Sequence, residues 1–151
     1  FIPIVYTYTE ESSVEGKYML KVSIQSVRMH MPAAAIQMLY HGSKDTQFRD
    51  WLTQHNVILH DHQPNWTDKI ENMRQHGIAR ISHLFAHSGN YFGTWQRIDI
   101  PLYISAEYCL LLDADTVVVK PFTFSDFGLN ITGALGFSGE SEGILKAVNA
   151  G

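Results

Sequence analysis

Two aspartates one residue apart, Asp113 and Asp115, stand where the most apolar segment of the chain ends, in CLLLDADTVVVKPF (residues 109–122). Two carboxylates this close repel one another, so leaving both charged and without a partner is costly. A hard divalent cation such as Mn²⁺ or Mg²⁺ prefers oxygen ligands and would relieve the repulsion. Because two aspartates leave much of a coordination shell open, phosphate oxygens of a substrate and waters would complete it. The motif therefore indicates a site for a metal-bound phosphate compound.

The elements that must position these aspartates follow an alternating pattern. Short apolar segments alternate with longer helical stretches, which is typical of βαβ units and a mostly parallel sheet. The predicted strands are FIPIVYTY (1–8), AAIQMLYH (34–41), NVILH (56–60), YCLLLD (108–113) and GALGF (133–137). The predicted helices lie between Gly16 and Pro32, at 44–55, at 66–87 with a possible break at Gly77, and within 94–104.

The position of Asp113 favours a binding site. In parallel α/β sheets, ligands bind beyond the carboxyl ends of the strands, and Asp113 ends a predicted central strand that is covered on both faces. In an extended chain, both carboxylates would point to one side, and the small Ala114 would let a ligand approach the backbone. The alternative is that both aspartates only cap the following turn through backbone N–H groups.

Composition limits the other classes of function. The 151 residues carry a formal charge of −4 and no basic run, which excludes nucleic acid as a partner. The single cysteine, Cys109, lies in the apolar run and is predicted to be a core residue. The visible chain has no apolar run of about 18 residues, so no membrane span is predicted. It opens inside a strand and stops without finishing an element, which predicts a piece of a longer protein. The localisation stays open: sequons at Asn65 and Asn130 fit a secretory lumen such as the Golgi without excluding the cytoplasm.

The block RIDIPLYISAEYCLLLDADTVVVKPFTFSDF (97–127) resembles the central block of the glycosyltransferases of family eight, the group that includes glycogenin and bacterial lipopolysaccharide galactosyltransferases. VYTYTEES (5–12) is similar to the family's first strand and nucleotide-binding loop, and NAG (149–151) to its downstream NxG motif. The resemblance implies a GT-A fold, a Rossmann-like, mostly parallel sheet flanked by helices, truncated at the C-terminus. Residues 1–151 would form the nucleotide-sugar-binding part of a longer transferase domain.

The resemblance also implies site residues. The nucleotide-binding set is Thr7, Tyr8, Thr9, Tyr18, Arg97, Asp113 and Ala114. Arg97 and Asn149 would contact the transferred sugar, while Asp113 and Asp115 would hold the metal ion. Relatives supply a third metal ligand, a histidine, from a region beyond the NxG motif, which this chain does not include. Glu10 and Glu11 follow the first strand where many relatives have Asn or Asp, so nucleotide contacts there are left open.

The activity implied is metal-dependent transfer of a sugar from a nucleotide-diphosphate donor, such as a UDP-sugar, with retention of configuration. The acceptor is unknown and could be a glycan, a protein or a small molecule. Mn²⁺ or Mg²⁺ would stabilise the departing diphosphate, and Arg97 would assist electrostatically. The sequence identifies no catalytic nucleophile. Two alternatives remain: a haloacid-dehalogenase-type phosphatase with Asp113 as nucleophile, Asp115 as acid/base and Ser138 in a second motif, or a non-catalytic relic that binds sugar or protein.

The histidines suggest a second, weaker metal hypothesis. HDH (60–62) presents two imidazoles on one side of an extended chain, and His83 with His87 has the helical spacing used in zinc sites. Neither pair comes with a third ligand. Because His60 and His62 end a predicted strand, a peripheral contact with the ligand is also possible.

Overall fold

The computed structural model of the chain describes residues 2–76, 93 and 95–127, and the chain divides into two compact units, residues 1–121 and 122–151. The first unit contains a four-stranded, all-parallel sheet in the order β3-β2-β1-β4. Its strands are β1 (Ile4–Thr9), β2 (Ile36–His41), β3 (Val57–Asp61) and β4 (Leu110–Leu111). Helices flank this sheet, so the predicted α/β class is confirmed and the architecture is compatible with a Rossmann-like fold.

The helices of the first unit are α1 (Val14–His30), α2 (Thr46–Gln54), α3 (Thr67–His76), a 3₁₀ helix, η1 (Gln96–Asp99), and α4 (Ile100–Tyr103). The first three predicted strands and the first two helices are therefore confirmed within a few residues. Two further predictions, the continuation of the third helix through 77–87 and the strand at 133–137, lie outside the described residues.

Helix α1 forms where capping and an apolar stripe coincide. The Ser13 hydroxyl accepts a hydrogen bond from the Gly16 backbone N–H, which satisfies one of the free donors at the N-terminus. Leu20, Ile24 and Val27 are buried along one side of the helix. This helical stripe prevails over the alternating pattern that the same segment also carries.

The two sheet faces bury different partners. Val5 of β1 and Leu39 of β2 pack with Ile100 and Ile104, so α4 and the residue after it cover one face. On the opposite face, the Tyr6 hydroxyl lies 2.8 Å from the Ser23 hydroxyl of α1. The side-chain alternation of the parallel strands thus builds one core on each side of the sheet.

Strand β4 departs from its prediction. Only two residues pair, both with β1, and Leu110 and Leu111 are only partly buried. Cys109, predicted to be a core residue, is exposed. The reason is that β4 has a neighbour on one side only within the described part of the chain, so its surroundings cover it incompletely.

In the second unit the structure describes residues 122–127, which contain a 3₁₀ helix, η2 (Phe124–Phe127). The Asp126 carboxylate accepts a hydrogen bond from the Thr123 hydroxyl at 2.9 Å, which closes this short turn. Among the described residues of both units, no helix is long and apolar enough to cross a membrane.

Candidate functional site

An ion pair joins two of the predicted site residues at the carboxyl end of the sheet. The Arg97 Nη2 group donates to Oδ1 of Asp113, and both side chains remain more than one-third exposed, at 36% and 39%. The Leu112 N–H donates to the Val5 carbonyl at 3.1 Å, so the β4 register continues to the residue before Asp113. Asp113 therefore lies just beyond the carboxyl end of β4, which is the side of the sheet where ligands bind in α/β folds.

The backbone turns directly after Asp113, which contradicts the extended geometry considered for the motif. The Thr116 N–H donates to the Asp113 carbonyl at 3.1 Å, and Ala114 and Asp115 form the corner of this turn. The two-residue alternation of a strand therefore does not orient the two carboxylates. The Asp113 carboxylate contacts Arg97 instead of accepting a hydrogen bond from a backbone N–H group of the turn among the described residues.

Asp115 contributes the second carboxylate of the motif. Its side chain is exposed and has no hydrogen bond or ion pair with any residue that the structure describes. Asp113 likewise has only Oδ1 engaged by a described residue. No group of three metal-ligating side chains occurs within residues 2–76, 93 and 95–127. The available oxygen donors suit a hard cation in kind, and two side chains leave room for ligands from a bound phosphate.

Arg97 lies on the 3₁₀ helix η1, between two fully or largely buried polar residues, Gln96 and Asp99. Its Nε atom is buried and has no hydrogen-bond partner among the described residues. A buried guanidinium donor without a partner costs roughly 1–3 kcal/mol. The accessible part of Arg97 lies elsewhere on the side chain, which is 36% exposed and can meet an anion in addition to Asp113.

An open cleft of about 630 Å³ lies at the ends of β1 and β2. The loops that follow these strands line it, from Tyr8 to Val14 and from His41 to Asp45, with Lys17 of α1. Neither Arg97 nor Asp113 lines this cleft. The structure thus has two separate candidate regions at one end of the sheet, the cleft and the Arg97–Asp113 ion pair. Strand β1 connects them, because Tyr8 and Thr9 of β1 border the cleft and β4, which leads to Asp113, pairs with β1.

The predicted nucleotide contacts on β1 already have partners within the protein. The Thr7 hydroxyl donates to the Gly93 carbonyl at 2.7 Å. Tyr8 is buried against the rings of Tyr40 and Phe48, and burial raises the pKa of its hydroxyl to about 12. The Thr9 hydroxyl is buried and accepts from the Glu11 N–H at 3.3 Å. These three side chains are therefore engaged mainly in contacts within the protein.

Glu10 has a structural role that the sequence pattern did not reveal. Its carboxylate accepts hydrogen bonds from the backbone N–H groups of Lys44 and Asp45, at 2.9 Å for the closest contact of each, and from the Tyr40 hydroxyl at 3.0 Å. Burial acts to raise the pKa of this carboxyl, but the hydrogen bonds outweigh burial and lower it. Gly42, at a φ of +127°, lies so close that an added Cβ would be 2.4 Å from the Glu10 Cδ. The glycine is the only sequence signal of this contact.

The remaining predicted residues are dispersed. Tyr18 is 61% exposed on α1 and does not line the cleft, so nothing in the described residues brings it to the other candidates. Ala114 is half-buried at the turn. Asn149 lies outside the described residues, as do His83 and His87.

The two histidines of the HDH segment do share one side of the chain, as predicted. Both rings contact Tyr103 edge-on, with centroids 6.3 Å away for His60 and 5.4 Å for His62. They have different partners, because His60 Nε2 lies 2.7 Å from the Gln37 side-chain oxygen while His62 is fully buried beside Asp99. Sequence reasoning missed Gln96 and Asp99 as partners of His62, although both flank Arg97 on a short polar helix.

No protein-family model, no curated protein and no solved structure matches this chain. The fold and the site geometry are therefore the observations from which a function can be argued.

Proposed function

We propose that this chain is the nucleotide-sugar-binding part of a metal-dependent glycosyltransferase with a GT-A fold, acting on a nucleotide-diphosphate sugar such as a UDP-sugar. The observation that carries the proposal is the Arg97–Asp113 ion pair at the carboxyl end of a parallel sheet, with the exposed Asp115 two residues away. The guanidinium of an arginine and two carboxylates at one strand end suit an anionic ligand that carries a bound divalent metal ion.

Each of these side chains has a distinct part in the proposal. Asp113 and Asp115 would hold Mn²⁺ or Mg²⁺, which when bound supplies Lewis-acid stabilisation of a diphosphate leaving group. Arg97, whose side chain is partly exposed beside Asp113, would donate to phosphate oxygens and orient the donor. The open cleft after β1 and β2 is the proposed place of the base and ribose, next to Tyr8 and Thr9.

The proposal is tested by calorimetric titration of the 151-residue chain with UDP, with and without Mn²⁺. We expect binding that requires Mn²⁺ and that Asp115→Asn weakens by at least about tenfold, since even indirect damage to a metal site costs that much. The matched control is Asp61→Asn, because Asp61 is also an exposed aspartate at the carboxyl end of a strand, paired with Arg49. This control should leave UDP affinity unchanged.

Three results would count against the transferase. UDP binding whose affinity is the same with and without Mn²⁺, and in Asp115→Asn, would show that no metal ion takes part in binding. Turnover of p-nitrophenyl phosphate with Mg²⁺, abolished by Asp113→Asn, would favour the phosphatase. Binding of a glycan without nucleotide or metal would favour the non-catalytic relic.

A further inference from the structure

A chain of buried hydrogen bonds runs from Trp66 and His62, in the segment between β3 and α3, through η1 to the end of β1. Oδ2 of Asp99 accepts from the Trp66 indole N–H at 2.7 Å and lies 2.8 Å from Nε2 of His62. On the other side of the imidazole, Nδ1 lies 3.0 Å from the Gln96 amide nitrogen, which also donates to the Tyr8 carbonyl at 3.2 Å. The network therefore links three segments of the first unit: β1, the segment between β3 and α3, and η1.

The geometry assigns the protons of this network. The Gln96 amide nitrogen has two hydrogens, one for the Tyr8 carbonyl and one for His62 Nδ1. With Nδ1 accepting, the His62 proton lies on Nε2 and is donated to Asp99, so the imidazole is neutral. The reversed amide would place its oxygen against the Tyr8 carbonyl and is excluded, because two acceptors would then face each other.

The network holds both ends of the helix that carries Arg97. Gln96 begins η1 and Asp99 ends it, and the single ring of His62 is hydrogen-bonded to both. Helix η1 continues directly into the four-residue α4, and two such short helices have little stability of their own, so their geometry depends on such tertiary contacts. His62 and Gln96 are fully buried, so water cannot replace these bonds when one is removed.

We propose that His62 is a positioning residue that fixes the Arg97 guanidinium against Asp113 by clamping the two ends of η1. The inference rests on the proposed function in so far as Arg97 then serves a diphosphate ligand. His62 touches neither Arg97 nor Asp113 directly, and it acts through Gln96 and Asp99.

The chain offers a matched control for this role. His60 precedes His62 by two residues, contacts the same Tyr103 ring and has a side-chain hydrogen bond of its own, to Gln37. Among the described residues, the hydrogen bond of the His60 ring goes to Gln37 and not to η1. His62→Phe and His60→Phe therefore remove similar bonds at neighbouring positions, and only the first breaks the clamp.

The first measurement needs no ligand. In nitrogen-15 NMR spectra of the wild-type chain, we expect the His62 ring to be the neutral Nε2–H tautomer and the Arg97 Nε–H to give a resolved, slowly exchanging signal. His62→Phe should broaden or remove the Arg97 signal, whereas His60→Phe should leave it unchanged. A His62 imidazolium, an Nδ1–H tautomer, or an Arg97 signal insensitive to His62→Phe overturns the proposal.

The second measurement is a double-mutant cycle on UDP affinity in the presence of Mn²⁺. We expect His62→Phe to weaken binding about tenfold in the wild-type background and less than about twofold when Arg97 is already alanine, because coupled residues are not additive. Equal losses in both backgrounds overturn the positioning role. If His62→Phe does not fold, Gln96→Met, which has a similar shape, removes the hydrogen bond between Gln96 and His62 Nδ1 and so releases the N-terminal end of η1. It should give the same non-additive result.

The two measurements separate the possible failures. If the wild-type chain does not bind UDP with Mn²⁺, the proposed function fails, and the Arg97 signal still decides whether His62 positions η1. If UDP binds but the cycle is additive, the proposed function stands and the positioning role is rejected.

Discussion

The loop after β1 and the loop after β4 both place acidic residues at the same end of the sheet, but they treat the charge in opposite ways. The Glu10 carboxylate after β1 receives hydrogen bonds from two backbone N–H groups and a tyrosine hydroxyl. Asp113 after β4 has one described partner, a partly exposed arginine, and Asp115 has none among the described residues. The carboxylate of the first loop is bound by groups of the protein itself, whereas the carboxylates of the second loop remain accessible to a ligand.

The difference separates stability from function. Hydrogen bonds to a charged group contribute about 1.5–3 kcal/mol each, whereas partly exposed ion pairs contribute about 0–1 kcal/mol. Substitutions around Glu10 should therefore act mainly on folding, and substitutions at the aspartates should act mainly on ligand binding. Three variants can break or sharpen this contrast.

The largest effect is expected for Gly42→Ala. A side chain at a φ of +127° is strained, and its Cβ would lie 2.4 Å from the Glu10 Cδ. We expect a loss of roughly 3 kcal/mol in the free energy of unfolding, from strain and overpacking together. Urea denaturation followed by circular dichroism measures this loss.

Gly16→Ala is the control for that experiment. Gly16 lies in α1, and an added Cβ would meet the Ser13 hydroxyl oxygen at an ordinary 3.5 Å. Alanine should stabilise the chain by about 0.5–1 kcal/mol at this helical position. Equal effects of the two glycine substitutions would show that the contact with Glu10 is not tight.

A smaller loss in the free energy of unfolding, about 1–2 kcal/mol at neutral pH, is expected for Glu10→Gln. In this variant the amide nitrogen would face a backbone N–H group that donates to a carboxylate oxygen in the wild-type chain. The folded chain lowers the carboxyl pKa below its ordinary value of 4.5. The stabilisation is therefore complete above that pH and is lost as the pH falls through the folded-state pKa.

Urea unfolding at pH values from 7 down to 3 checks the sign of this effect. The wild-type chain should lose stability across the acid range, and Glu10→Gln should lose less over the same interval. A variant with the full wild-type acid sensitivity would show that Glu10 is not the titrating group.

The smallest effect on stability is expected for Asp113→Asn. Its ion pair with Arg97 is more than one-third exposed on both sides, so its removal should change the free energy of unfolding by less than about 1 kcal/mol. The same variant should weaken Mn²⁺-dependent UDP binding by at least about tenfold. A destabilisation as large as that of Glu10→Gln would erase the contrast between the two loops.

Sequence patterns predicted the framework better than the details of the site. The stripe of Leu20, Ile24 and Val27 and the apolar run of β2 predicted their elements, because burial follows periodicity directly. The resemblance put Arg97 and Asp113 in one predicted nucleotide-binding set without specifying the ion pair that the structure shows between them.

Other features depend on contacts that periodicity does not encode. The turn at Ala114 and Asp115 begins directly after the predicted end of the strand at Asp113, and it replaces the extended geometry considered for the motif. The partners of Glu10 come from a loop 34 and 35 residues further along the chain. The clamp by His62 joins residues 34 and 37 positions apart. Long-range pairing of polar side chains leaves no local pattern, so only the folded chain reveals it.

The aspartate turn is fastened on both sides of its five residues. The Leu112 N–H is bound to the Val5 carbonyl of β1 before the turn, and the Val118 N–H is bound to the Ser26 hydroxyl of α1 after it, at 2.9 Å. Folding has therefore already met most of the entropic cost of ordering this short loop. An ion captured there would need to immobilise little more than two carboxylate rotamers, so a smaller part of the binding free energy would be lost to ordering than on an unfastened loop.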